Sequence, residues 1–220
     1  MFHDFDIYKT VLMLIPLIFS VTVHEVAHGY AAYRLGDNTA KLAGRLTLNP
    51  IKHLDFVGSF LLPVMLRLMG SPVIFGYAKP VPVNFANLKD QKKDVIVVAS
   101  AGALANIALA VISAILFHII LSYDGNFYDL NNAPVLKAIV SMLFYSVFIN
   151  PILAVFNLMP IPPLDGSRIL AVLLPHHMRM QFARIERFGM MILIFFLFTG
   201  IFDKILEYVA MPIIGFLLRQ

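Results

Sequence analysis

Residues 95–121 form a run of 27 residues that contains no Asp, Glu, Lys or Arg. About 20 apolar residues carry a helix across a bilayer, so this stretch spans with some tilt. Within lipid every backbone N–H and C=O must find a partner inside the protein, and for a single run of this length a helix supplies them all. Gly102 and Asn106 stand one turn apart on it, which lets a small and an amide side chain face a neighbouring helix closely.

Other segments repeat the pattern. Residues 10–33 are apolar apart from His24, Glu25 and His28, with Pro16 as an expected kink. Residues 138–159 make a further span, interrupted at Asn150-Pro151; Pro160, Pro162 and Pro163 then stop the helix before a short one at Leu164–Leu174. Residues 188–202 and 205–218 suit a hairpin, or a span plus an interfacial helix. Hydrophobic residues reach 60% against 14% charged, with a mean hydropathy of +0.82; soluble domains average about 45–50% and 25%. A water-soluble monomer is excluded. The absence of cysteine removes disulfide scaffolds, Cys-based zinc modules and thiol nucleophiles.

Between the first two spans the chain is mixed. Residues 56–69 are interrupted by Gly58, Pro63 and Arg67 and read as re-entrant or interfacial. Residues 73–83, β-branched and aromatic but punctuated by Gly76, Pro80 and Pro82, read as an extended segment or edge strand. The expected fold is an all-α polytopic membrane protein of about five to six membrane segments with a small re-entrant/β-strand region. It forms one domain over residues 1–220, with its core at about 10–175 and C-terminal hydrophobic segments at 188–218.

Residues 1–9 hold Asp4 and Asp6 and a single Lys, not the basic start of a cleavable signal peptide, so the first span is expected to be retained. Nine Lys or Arg fall in residues 34–93 and four in 160–187, while 122–136 hold none. The positive-inside rule then puts the first two regions in the cytoplasm and the third outside. The same rule accounts for the pI near 9.3, so no nucleic-acid partner is expected.

The polar cluster in the first span is an HExxH motif, His24-Glu25-Val26-Ala27-His28. Two His four apart on a helix differ by about 40° in direction and can grip one metal from the same face. The adjacent Glu25 can take a proton from an activated water, the general-base arrangement of zinc hydrolases. Ionisable groups inside a bilayer are costly, at least about 2.5–3.5 kcal/mol each, so three in one span call for a metal or a wet cavity. A lone His there would be a packing hydrogen bond; three polar groups together point to a site.

Catalytic zinc takes three protein ligands and keeps one open position. The longer HExxHxxGxxH pattern fails here, because Ala31 and Arg34 occupy its Gly and His positions. The next Glu after the motif is Glu186. Candidates for the third ligand are His53, His118, Asp37, Asp55, Asp165, His176 and His177. Asp165 is the best placed, just after the proline break, although its spacing suits an N-cap of the short helix equally well.

Three elements together resemble the site-2 protease family of intramembrane zinc metalloproteases: HExxH at His24 to His28, Gly102 to Asn106, and Asn157-Leu158-Met159-Pro160 leading to Leu164-Asp165-Gly166. Gly44-Arg45-Leu46-Thr47-Leu48-Asn49-Pro50 and Gly76 to Asn84 are similar to the compact branch without PDZ or CBS domains. Phe56 and Tyr77 depart from the family pattern, where Pro and Trp are common, which affects loop shape and touches no expected ligand. The resemblance implies a three-helix catalytic core with Zn2+ on His24, His28 and Asp165, and Glu25 as general base. It also implies that Asn157 or Asn106 orients substrate or stabilises the oxyanion. The activity it implies is hydrolysis of peptide bonds in or near transmembrane segments, in regulated intramembrane proteolysis. The expected partners are a transmembrane protein or peptide substrate and the lipid bilayer. The expected location is a prokaryotic cell membrane, with the active site toward the cytoplasm. A non-catalytic zinc transporter or metal sensor is the alternative, since intramembrane His and acidic residues also mark ion pathways.

Overall fold

The computed structural model of this chain describes residues 6–61, 65, 76–123 and 133–219. Its principal helices are α1 (Ile7–Arg34), α2 (Lys93–Tyr123), α3 (Pro134–Leu158), α4 (Asp165–Leu173), α5 (His176–Glu186), α6 (Gly189–Phe198) and α7 (Ile201–Leu217), the last including a π-helical stretch at Leu206–Ala210. Helices α1, α2 and α3 are long and apolar enough to cross a membrane. A fourth crossing results if α6 and α7, bent by 76° at their junction, count as one broken span. Gly200 sits at that bend with φ +69, a left-handed conformation that glycine adopts without penalty.

Each of α1, α2 and α3 packs against the other two, and α4 rests on α2 and α3. Small residues make these contacts: Ala32, Ala99, Ala103, Ala110 and Ala154 are fully buried, while Leu104, Ile112 and Ile115 face outward. Lipid tails are as apolar as leucine, so nothing drives large side chains between the helices, and alanine lets the backbones approach. This three-helix unit is the core that holds the site.

Two expectations change. Pro151 lies inside α3, which continues through the anticipated break at Asn150-Pro151 to Leu158; in a bundle, neighbouring helices and polar side chains re-satisfy the backbone that proline frees. No strand is present among the described residues. Residues 76–84 run extended, with Tyr77 N–H on the Gly58 carbonyl (3.0 Å) and Lys79 N–H on the His53 carbonyl (2.9 Å), but Pro80 and Pro82 lack the N–H groups a ladder would need next. Of the re-entrant segment, Val57–Leu61 is a short π-helical turn; residues 62–64 and 66–69, like 73–75 of the expected strand, lie outside the described residues.

Candidate metal centre

On α1, Ser20, His24 and His28 fall four residues apart and are buried on the face turned to the bundle interior. The Nε2 atoms of His24 and His28 stand 3.0 Å from each other. Asp165, in the first turn of α4, brings Oδ2 to 3.2 Å from the first and 3.1 Å from the second. Its carboxylate therefore points at the imidazoles, and Leu164 occupies the N-cap position.

The far sides of the rings fix their tautomers. His24 Nδ1 lies 2.6 Å from Asn106 Oδ1, and His28 Nδ1 lies 2.7 Å from the Val98 carbonyl. Both partners are acceptors, so both Nδ1 atoms carry the proton and both Nε2 atoms present a lone pair. Two lone pairs and a carboxylate oxygen thus converge in a nearly closed space. Such an arrangement repels itself unless a proton or a metal ion sits among its members.

Gly102 completes the cradle. A Cβ built there would lie 2.5 Å from His28 Nε2, 2.5 Å from His24 Cε1 and 2.6 Å from His24 Nε2. Any larger residue would fill the place where the ligand atoms converge. Ligands at about 2.0–2.2 Å from one tetrahedral ion stand roughly 3.3 Å apart, close to the spacing found. The donor set, two imidazoles and one carboxylate, is that of a catalytic zinc site, and the residues present fit Zn2+.

Glu25 lines the cleft beside the same site. Its Oε2 accepts the backbone N–H of Val81 at 2.7 Å. A cleft of about 470 Å³ joins Glu25, the two histidines, Asp165, Val81 and Asn157. Asn157, at the end of α3, donates its Nδ2–H to the Leu153 carbonyl at 2.9 Å and faces this cleft. Asn106, the other residue expected near substrate, is 0% exposed and lies behind His24. That placement sets it against the His24 ring and outside the lining of the cleft.

The remaining ligand candidates have other occupations. His53 is buried and donates Nε2–H to the Thr47 carbonyl; His118 does the same to the Leu217 carbonyl. Asp37 accepts from Thr39, Asn84 and Asn87, and Asp55 from the Gly58 N–H. His176 and His177 are exposed on α5. Three site groups escaped the sequence: the Val98 carbonyl and the Val81 amide, because backbone atoms carry no sequence signal, and Asn150. For Val81 one clue existed, the flanking Pro80 and Pro82, which leave it the sole N–H of that tripeptide.

Residues 126–200, which include Asn157 and Asp165, match Peptidase family M50. YwhC of Bacillus subtilis, a protein that carries a zinc-metalloprotease name, is 38% identical over 198 residues, spanning 88% of this chain and 83% of its own. Rip2 of Mycolicibacterium smegmatis, which also carries a zinc-metalloprotease name, is 28% identical over 194 residues, covering 88% and 69%. No solved structure matches the chain.

Proposed function

The chain belongs to peptidase family M50, the site-2 protease family of zinc metalloendopeptidases, and we propose that it cuts a peptide bond within or beside a transmembrane segment of a membrane-protein substrate. The observation that carries this reading is the convergence of His24 Nε2, His28 Nε2 and Asp165 Oδ2 at 3.0–3.2 Å, inside a bundle of membrane-length helices, with Glu25 on the adjoining cleft. Zinc bound to these residues would lower the pKa of water and polarise a carbonyl.

The chain's own groups supply the rest. Glu25 takes the proton of the attacking water, and the Val81 N–H holds one carboxylate oxygen so that the other is turned to this task. Asn157 lines the cleft and orients the peptide. A helical substrate hides its amides in its own hydrogen bonds, so it must unwind before attack. The extended residues 76–84, beside Glu25, offer backbone against which an unwound segment can lie. The density of Lys and Arg in 34–93 and 160–187 favours a cytoplasmic position for this cleft. Restriction of the chemistry to selected membrane substrates would make it an instrument of regulated intramembrane proteolysis.

The test is Glu25→Gln in the purified protein. Zinc content should stay at the wild-type level while cleavage of a helical reporter falls by about 10²–10⁴-fold. Cleavage at the wild-type rate would remove Glu25 from the mechanism. Zinc uptake into liposomes by the same variant would favour transport.

A further inference from the structure

Behind His24, away from the cleft, a row of hydrogen-bonded side chains runs across all three core helices. Asn106 on α2 donates Nδ2–H to Asn150 Oδ1 on α3 at 2.7 Å. Asn150 donates its own Nδ2–H to the Ser146 carbonyl (2.9 Å) and to Ser146 Oγ (3.1 Å). Ser146 Oγ in turn lies 2.7 Å from Ser113 Oγ on α2. Asn106 and Asn150 are both 0% exposed.

We propose that Asn150 is a positioning residue for the metal: as the near acceptor of the Asn106 NH2 at 2.7 Å, with the Ser20 carbonyl a longer second one at 3.4 Å, it fixes that amide and so decides which nitrogen of His24 is left to bind zinc. The inference rests on His24 being a ligand. The backbone carbonyl of Ser146 can only accept. Asn150 must therefore turn its NH2 toward that carbonyl and its oxygen toward Asn106. Asn106 must meet that oxygen with its own NH2, which leaves its Oδ1 facing His24. His24 must answer with Nδ1–H, and its Nε2 is then a bare lone pair directed at His28 and Asp165.

Reversing either amide sets donor against donor or acceptor against acceptor, in a place closed to water. The chain of choices has one consistent solution, and it ends on the tautomer a metal requires. Helix α3 thus acts on the centre from two residues away through this row, besides supplying Asn157 to the cleft. A buried Asn pair that merely glued helices together would have no need of a backbone anchor at one end and a ligand at the other.

The experiment uses the full chain in detergent micelles. Zinc affinity is measured by competition with a chelator, and the tautomer of His24 in metal-free protein by nitrogen-15 NMR of histidine-labelled material. Asn150→Leu should weaken zinc binding by about 10–100-fold, the range typical of outer-shell partners. It should also convert His24 from the Nδ1–H form to a mixture of tautomers. Unchanged affinity, or weakened affinity with His24 still wholly Nδ1–H, would overturn the proposal. Should Asn150→Leu not fold, the wild type decides alone, since a metal-free His24 protonated on Nε2 contradicts the row. His24→Ala separates the two layers: wild-type zinc affinity in that variant would remove the ligand assignment itself, whereas its loss beside an unaffected Asn150→Leu would sink only the positioning role.

Discussion

The backbone N–H of Val81 stands 2.7 Å from Oε2 of Glu25, 56 residues away in the chain. Pro80 and Pro82 flank it, so Val81 offers the one amide proton of that tripeptide, and it is spent on the carboxylate. A hydrogen bond to a charged group contributes about 1.5–3 kcal/mol, which sets the scale of what its removal does. Val81→Pro, which deletes the donor, should lower kcat by about 10–100-fold while zinc content stays at one per chain. Val81→Ala, which keeps the donor, should stay near wild type. Reporter cleavage and metal analysis on the pair decide it; equal kcat in both variants would leave this contact without a role.

Gly102 supports a second prediction. A methyl group there would overlap the ligand atoms of both histidines at about 2.5 Å, and it projects from a rigid membrane helix that has little room to retreat. Gly102→Ala should therefore lose stoichiometric zinc while its helix content remains that of the wild type. Circular dichroism and metal analysis measure the two quantities. Full zinc occupancy in Gly102→Ala would mean that α2 does not approach the centre as closely as found here.

The parts of the fold that could be read in advance are those governed by lipid. The uninterrupted run at 95–121 became α2, and of the polar trio in residues 10–33 the two histidines became the inward face of α1 with Glu25 on the adjoining cleft, because a bilayer punishes any other arrangement. Proline misled where tertiary packing overrode local preference, as at Pro151. Asp165 marks the limit of spacing arguments: cap and ligand are one residue type at one kind of position, and only the approach of α4 to α1 separates them. The amide row through Asn150 was out of reach, since Asn150 and Asn106 are 44 residues apart and nothing local ties them together.

That separation of cap from ligand can be measured. Asp165→Asn preserves shape and capping ability but removes the negative charge facing His24 and His28. If Asp165 binds the metal, zinc affinity should fall by more than the about 10–100-fold that outer-shell partners give, with little change in the melting temperature of the metal-free protein. Were Asp165 only a cap, the substitution would be near-neutral in both respects, so zinc affinity is the quantity that separates the two roles.

The segment that carries Val81 is itself moored by Asp37, a fully buried residue just past α1. Its carboxylate accepts the Asn84 N–H at 2.8 Å, the Asn87 Nδ2–H at 2.8 Å and the Thr39 hydroxyl at 2.5 Å. Burial alone would push this carboxyl up, yet the donors from Thr39, Asn87 and Asn84 together hold it below the ordinary Asp value. A group whose folded pKa is depressed stabilises the fold above its unfolded value, about 3.9, and loses that contribution as pH falls through the folded value. The mooring should then be intact from pH 8 down to about pH 5 and weaken only under stronger acid. Hydrogen exchange at the Asn84 amide, corrected for intrinsic rate, should show constant protection across that window. Asp37→Ala orphans the buried donors and should abolish the protection at neutral pH, lowering kcat through the freed Val81 while zinc stays bound. Protection that persists in Asp37→Ala would mean that other contacts, such as Arg45 on the Lys79 carbonyl at 2.8 Å, hold the segment over Glu25 unaided.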